Sequence, residues 1–341
     1  MKDLHILYDE LPNTFLEVSN RDIKKVFDKP TLIHLRGEKP SAVFVSILIH
    51  GNEYSGLEIM QEILEKYKTT NGYKLPRSIW LFVGNVDAAE LGLRLLDSQI
   101  DFNRAWPGTD NPDNETSKLL QKVMETITKT ELFAAVDLHN NTGQNPPYGC
   151  ISQVNEKNKY LCTLFNHIAM VFKTPKGVST MAFDDICPAI TLECSTPGNT
   201  LAKAKAFDFV DALLHMDHFP DKPVSEHDLQ LVQNSATIKI NENVTFSFEE
   251  NLHSPSEMDV IVVNNFDHHN FTILQEGEVF AHTKVVKPFI VTSQRGNDIT
   301  DTIIENNNGA ISLKKALMPA MISIDKKIVL QDCLCYLLED Y

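Results

Sequence analysis

VSILIHGNEYSGLEI, residues 45–59, holds two structural elements and the turn between them. The apolar run Ala42–Ile49 reads as a buried strand, since a strand covered on both faces needs no polar alternation. It stops at His50, Gly51 and Asn52 turn the chain, and Glu53 precedes a helix whose apolar positions 57, 60, 63, 64 and 67 keep a helical period. A histidine and a glutamate three residues apart serve no packing purpose at the end of a core strand. Open α/β sheets place their binding sites at such strand ends.

The alternation continues outward. Ile79–Val83, Leu132–Leu138 and Ala189–Leu192 read as strands, and Glu115–Thr128, Asn158–Phe172 and Leu201–His215 as helices. This predicts an α/β domain over residues 1–218, a mixed, largely parallel sheet flanked by helices. After HFPDKPVSEHD (218–228) the runs become short and β-branched: ATIKI, VTFSF, VIVV and KIVL, separated by Gly, Asn and Asp. They predict a small all-β domain over 225–341.

At 341 residues, 43% of them hydrophobic, the chain is long for one average domain. A net charge of -15 makes nucleic acid or an anionic membrane surface a poor partner. No run approaches the roughly 20 apolar residues of a membrane span, and the first residues lack the apolar core of a signal peptide. The six cysteines form no CxxC pair. These features predict a cytoplasmic protein with buried, reduced thiols. A homo-oligomer is left open.

Three of the strands end in groups suited to metal chemistry: His50 with Glu53, His139 after FAAVDL, and Glu193 after PAITL. A catalytic zinc takes three protein N/O ligands and keeps one open position. His50, Glu53 and His139 supply two imidazoles and a carboxylate, which predicts one Zn2+ per chain. Glu193 is left free to take a proton from water. Asp137 projects on the same strand face as His139 and can hold its second ring nitrogen. The loop GLRLLDSQIDFNRAWPG (92–108) holds Arg94 and Arg104, two of only six arginines. They either grip a substrate carboxylate through paired hydrogen bonds or pair with Asp97 and Asp101 on the surface.

In their order, HGNE (50–53), DFNR (101–104), DLH (137–139) and ITLE (190–193) resemble the zinc carboxypeptidase superfamily, in its succinylglutamate desuccinylase/aspartoacylase branch. The short interval from Glu53 to His139 and the appended β domain fit that branch. The resemblance implies zinc on His50, Glu53 and His139, with Glu193 as general base. It also implies a substrate carboxylate on Asn103 and Arg104, and Arg94 polarising the scissile carbonyl. Aspartoacylases carry a further arginine shortly before the catalytic glutamate. Here no Arg or Lys occurs between Lys176 and Glu193, and Asp184 and Asp185 stand in that segment, which argues against aspartoacylase specificity and for an uncharged or cationic substrate group.

The expectation is a zinc hydrolase cleaving the amide bond of an N-acyl amino acid or small peptide with a free carboxylate. A carboxypeptidase trimming C-terminal residues is the alternative within that chemistry. A non-catalytic metal- or ligand-binding relative is the alternative outside it.

Overall fold

The computed structural model describes residues 4–97, 99–252 and 257–341. The chain divides into two units, Met1–Asn140 with Pro147–Gln230, and Asn141–Pro146 with Leu231–Tyr341.

The first unit is built on strands β1 (His5–Tyr8), β2 (Thr31–Leu35), β3 (Gly37–Ile47), β4 (Leu75–Val83), β5 (Leu132–His139), β6 (Tyr148–Ile151), β7 (Ile168–Val171) and β8 (Ala189–Glu193). They lie in the order β1-β2-β4-β3-β5-β8-β6-β7. The central strands β4, β3, β5 and β8 run parallel, while β2 and β6 pair antiparallel with β4 and β8. The sheet is therefore mixed and parallel at its centre. Helices α1 (Ser55–Tyr67), α2 (Val86–Leu91), α3 (Glu115–Ile127), α4 (Glu156–Phe165), α5 (Ser179–Phe183) and α6 (Thr200–His215) connect the strands.

Each of the four central strands is buried along nearly all of its apolar run, as continuous rather than alternating hydrophobicity requires. One core cluster gathers Phe44, Phe82, Phe102, Trp106, Leu120 and Phe183 with their neighbours. Trp106 is fully buried, with its ring centroid 6.0 Å from that of Phe44 and 6.2 Å from those of Phe82 and Phe183. Each such side chain contributes about 1.5–3 kcal/mol by leaving water. The anchors Phe102 and Trp106 pin the loop that carries Asn103 and Arg104.

One sequence expectation fails here. Asn158–Phe172 is not a single helix: α4 ends at Phe165, Asn166 is extended, and Ile168–Val171 is strand β7.

The second unit holds β9 (Gln230–Ile240), β10 (Phe246–Glu249), β11 (Val260–Val263), β12 (Val279–Thr283), β13 (Phe289–Ser293), β14 (Ile304–Asn307), β15 (Ala310–Leu313), β16 (Met318–Ala320) and β17 (Cys335–Asp340). β9 pairs with β13 and β17, and β17 with β16, all antiparallel. β10, β11, β12, β15 and β14 form a second sheet in that order. Its core includes Phe246, Phe266, Phe280 and Phe289. KIVL, expected as a strand, lies instead in helix α7 (Lys326–Gln331), because Asp325 caps the N–H groups of Lys327 and Ile328.

Candidate metal centre and active site

β3 ends at Ile47, and the chain turns at Leu48, whose φ of 53° is left-handed. The turn is fastened twice: Asn85 N donates to Leu48 O at 2.6 Å, and Gly51 N to Arg94 O at 3.0 Å. Gly51 passes so close to α2 that a Cβ would fall 2.2 Å from the Ala88 carbonyl carbon. Only glycine fits, and this close packing sets where His50 and Glu53 stand.

The structure brings His50, Glu53 and His139 together. One ligand atom from each lies within 4.8 Å of the others, and all three side chains are buried. The Nδ1 atoms of both rings face the same carboxylate: His50 Nδ1 is 2.7 Å from Glu53 Oε1, and His139 Nδ1 is 2.8 Å from Glu53 Oε2. The two Nε2 atoms face outward to other carboxylates, His50 to Asp101 Oδ1 at 2.9 Å and His139 to Asp137 Oδ2 at 2.9 Å. A carboxylate behind each ring fixes its tautomer and leaves Nδ1 as the inward lone pair, the arrangement a metal ligand needs. Ser46 Oγ donates to the other oxygen of Asp137 at 2.7 Å.

The charges point the same way. Burial disfavours a charged ring at His139, but Asp137 and Glu53 outweigh it and hold its pKa well above the usual value. At His50, burial and Arg94 oppose the charge, yet Glu53 and Asp101 still raise the pKa. Burial opposes ionisation of Glu53 too, but the two imidazoles hold its carboxyl well below the usual range. Three carboxyl groups crowd two rings in a dry site, and the rings are drawn toward protonation in compensation. A divalent cation bound at the two Nδ1 atoms and Glu53 would supply that positive charge. The donor set, two imidazole nitrogens and a carboxylate, fits zinc.

Glu193 ends β8 in register with His139 on β5 and with Tyr148 on β6. In the preceding row Ser46, Asp137, Thr191 and Cys150 lie side by side across β3, β5, β8 and β6. Alternation along the strands puts both rows on one sheet face. Burial pushes the Glu193 carboxyl up, with His139 opposing and Glu53 adding, to about 7. The thiols of Cys150 and Cys194 are pushed higher by burial, so they stay protonated.

Arg94 stands at the same cluster, 3.3 Å from Glu53 Oε1 and 3.4 Å from Asp101 Oδ2. Asn103 and Arg104 occupy a short helical turn, Phe102–Arg104, that Asp101 caps by accepting from Asn103 N at 2.7 Å. Asn103 Oδ1 is buried with no hydrogen-bond partner among the described residues, and a buried polar atom of that kind calls for a missing partner. Gly177, at φ 76°, covers this turn: a Cβ there would lie 2.4 Å from Arg104 O. Arg94 does pair with Asp101, as the surface alternative had it, but it is only 14% exposed and faces the histidine–carboxylate cluster rather than open solvent.

Asp184 and Asp185 differ in their surroundings. The Asp184 carboxylate accepts from Ser152 Oγ, and Asp185 is exposed. Two residues went unrecognised in the sequence. Asp101, although quoted in DFNR, is the partner of His50; only its place beside Asn103 and Arg104 could have signalled that. Asn140 follows His139 directly and binds Glu53, and an asparagine in a loop gives no signal of that.

Residues 41–192 match the model of the succinylglutamate desuccinylase/aspartoacylase catalytic domain. A mixed α/β sheet with a buried His–Glu–His group at its strand ends is what this segment forms. Over these residues the chain is similar to the succinylglutamate desuccinylase/aspartoacylase family. Several solved structures share the fold. The succinylglutamate desuccinylase from Chromobacterium violaceum is 17% identical over 89% of this chain and 85% of that one, with a TM-score of 0.55. The succinylglutamate desuccinylase/aspartoacylase from Rhodobacter sphaeroides is 14% identical over 90% and 88%, with a TM-score of 0.55. Murine aminoacylase 3 is 14% identical over 89% and 96%, with a TM-score of 0.51. No curated protein matches the chain by sequence. Among the described residues no helix is long and apolar enough to cross a membrane.

Proposed function

We propose that the chain is a zinc-dependent hydrolase of the amide bond in an N-acyl amino acid or small peptide that bears a free carboxylate. The observation that carries this is the inward pair of Nδ1 atoms on one carboxylate, each ring backed by a second carboxylate. His50, Glu53 and His139 would hold the zinc ion, which would supply Lewis acidity when bound. Glu193 takes a proton from the attacking water and returns it to the leaving nitrogen; a pKa near 7 suits both transfers. Asn103 and Arg104 hold the substrate carboxylate, and Arg94 meets the negative charge that develops on the carbonyl oxygen.

The names of the solved relatives, desuccinylases and an aminoacylase, support deacylation over carboxypeptidase action. Asp184, although it accepts from Ser152 Oγ, keeps a carboxylate in that segment beside the exposed Asp185, which favours an uncharged or cationic substrate group. The missing arginine before Glu193 also disfavours an acidic one. The test is a screen of N-acetyl and N-succinyl amino acids, including acetyl-aspartate, together with dipeptides, on zinc-loaded protein. Amine release from an acylated amino acid, abolished by chelation and restored by zinc, is the expected result. Release from dipeptides alone would favour the carboxypeptidase reading. No release, with no zinc bound, would leave a non-catalytic relative.

Two arginine variants separate binding from catalysis. Arg104→Lys keeps the charge but loses the two-pronged fork, so KM should rise more than kcat falls. Arg94→Ala should lower kcat by about 10²-fold, the usual worth of one donor at a developing oxyanion. Equal effects of both on KM alone, measured by steady-state kinetics, would count against Arg94 at the oxyanion.

A further inference from the structure

Asn140 is 3% exposed and lies where three chain segments meet. Its backbone N–H donates to Glu53 Oε2 at 3.1 Å. Its side-chain Oδ1 accepts from Ser55 N at 3.1 Å, and Nδ2 donates to Ser55 Oγ at 3.0 Å. Nδ2 also reaches Ser195 O at 3.0 Å and Cys194 O at 3.4 Å. The three segments are those of the proposed chemistry: the turn into α1 with Glu53, the end of β5 with His139, and the end of β8 with Glu193.

Each bond answers a local need. The first N–H groups of a helix have no partner inside it. Tyr54, at the N-cap of α1, offers no side-chain bond, so the amide of Asn140 serves from 85 residues away. Beyond β8 the chain turns through Ser195, a non-glycine residue at φ 58°, and the carbonyls of Cys194 and Ser195 on either side of that turn meet Nδ2. Cys194 N in turn donates to His139 O at 2.9 Å.

We propose that Asn140 is a positioning residue, an amide clamp that fixes Glu53 and Glu193 relative to His139. This deepens the metal-hydrolase reading and rests on it. Asparagine is the group required: one acceptor for the helix N–H and one NH2 for the carbonyls beyond β8. Aspartate has the same shape but sets an oxygen against those carbonyls.

The test compares wild type with Asn140→Asp, Asn140→Ala and Ser55→Ala, which removes only the bond to Ser55 Oγ. Zinc affinity is measured by chelator competition, unfolding on metal-free protein, and kcat and KM at saturating zinc with the best acylated amino acid of the screen. In folded Asn140→Asp, zinc affinity and kcat should each fall about 10–100-fold, the usual cost of losing a partner behind a metal ligand. KM should hardly change, because Asn103 and Arg104 are untouched. Ser55→Ala should shift both in the same direction by less. A lower unfolding midpoint with zinc affinity and kcat intact below it would make Asn140 merely structural and overturn the proposal. If both Asn140 variants unfold at the assay temperature, wild-type zinc affinity and kcat in Ser55→Ala overturn it as well. A wild type that binds no zinc and releases no amine would instead defeat the functional reading, and the clamp with it.

Discussion

Glu193→Gln should keep its metal and its fold and lose on the order of 10²–10⁴ in kcat, the usual worth of a positioned base. Glutamine has the same shape but takes up no proton. Glu193 is not one of the converging ligand atoms, so metal content should stay at the wild-type level in elemental analysis. In the wild type, kcat/KM should fall as pH drops through the pKa of Glu193, because only the ionised carboxylate accepts a proton. Burial places that pKa at about 7 without an ion, and a nearby cation draws it lower, so the limb should lie at or below about 7. The limb should vanish in the glutamine variant. Turnover near the wild-type rate in that variant would show that another group does the work.

His139→Ala should reduce bound zinc to background. It removes one of two imidazole donors, and Glu53 Oε2 loses the His139 ring while keeping the Asn140 N–H at 3.1 Å. The substitution also strips Asp137, which is fully buried, of its ring partner and leaves it the Ser46 hydroxyl. Breaking a buried pair in this way costs about 3–5 kcal/mol. The metal-free variant should therefore also melt lower than the metal-free wild type. Elemental analysis beside a thermal melt checks both, and full zinc occupancy would sink the ligand assignment.

The sheet and its strand-end residues were legible because continuous apolar runs ended abruptly in His50, His139 and Glu193, and such polar endings have no packing cause. Asp101 was not legible as the partner of His50. It is 51 residues away in an aperiodic loop, and only the folded chain brings the two together. The misread segments have local causes. IAMV continues an apolar pattern from α4 across Asn166, where the chain becomes extended. KIVL looks like a strand because its β-branched residues outweigh the capping aspartate before it.

The six residues Asn141–Pro146 group with the second unit, although they follow His139 and Asn140 without a break. Gln144 N donates to Asp267 Oδ2 at 3.1 Å, Met321 N donates to Asn145 Oδ1 at 3.0 Å, and a Cβ on Gly143 would fall 1.8 Å from Ile322 O. A stop codon after residue 230 would keep this hexapeptide and delete each of those partners, one peptide bond beyond Asn140. The first unit is therefore not a cassette that one cut can excise. A recombinant fragment ending there should tether the end of β5 more loosely than the full chain does, and swapping the second unit between relatives would require carrying residues 141–146 along with it.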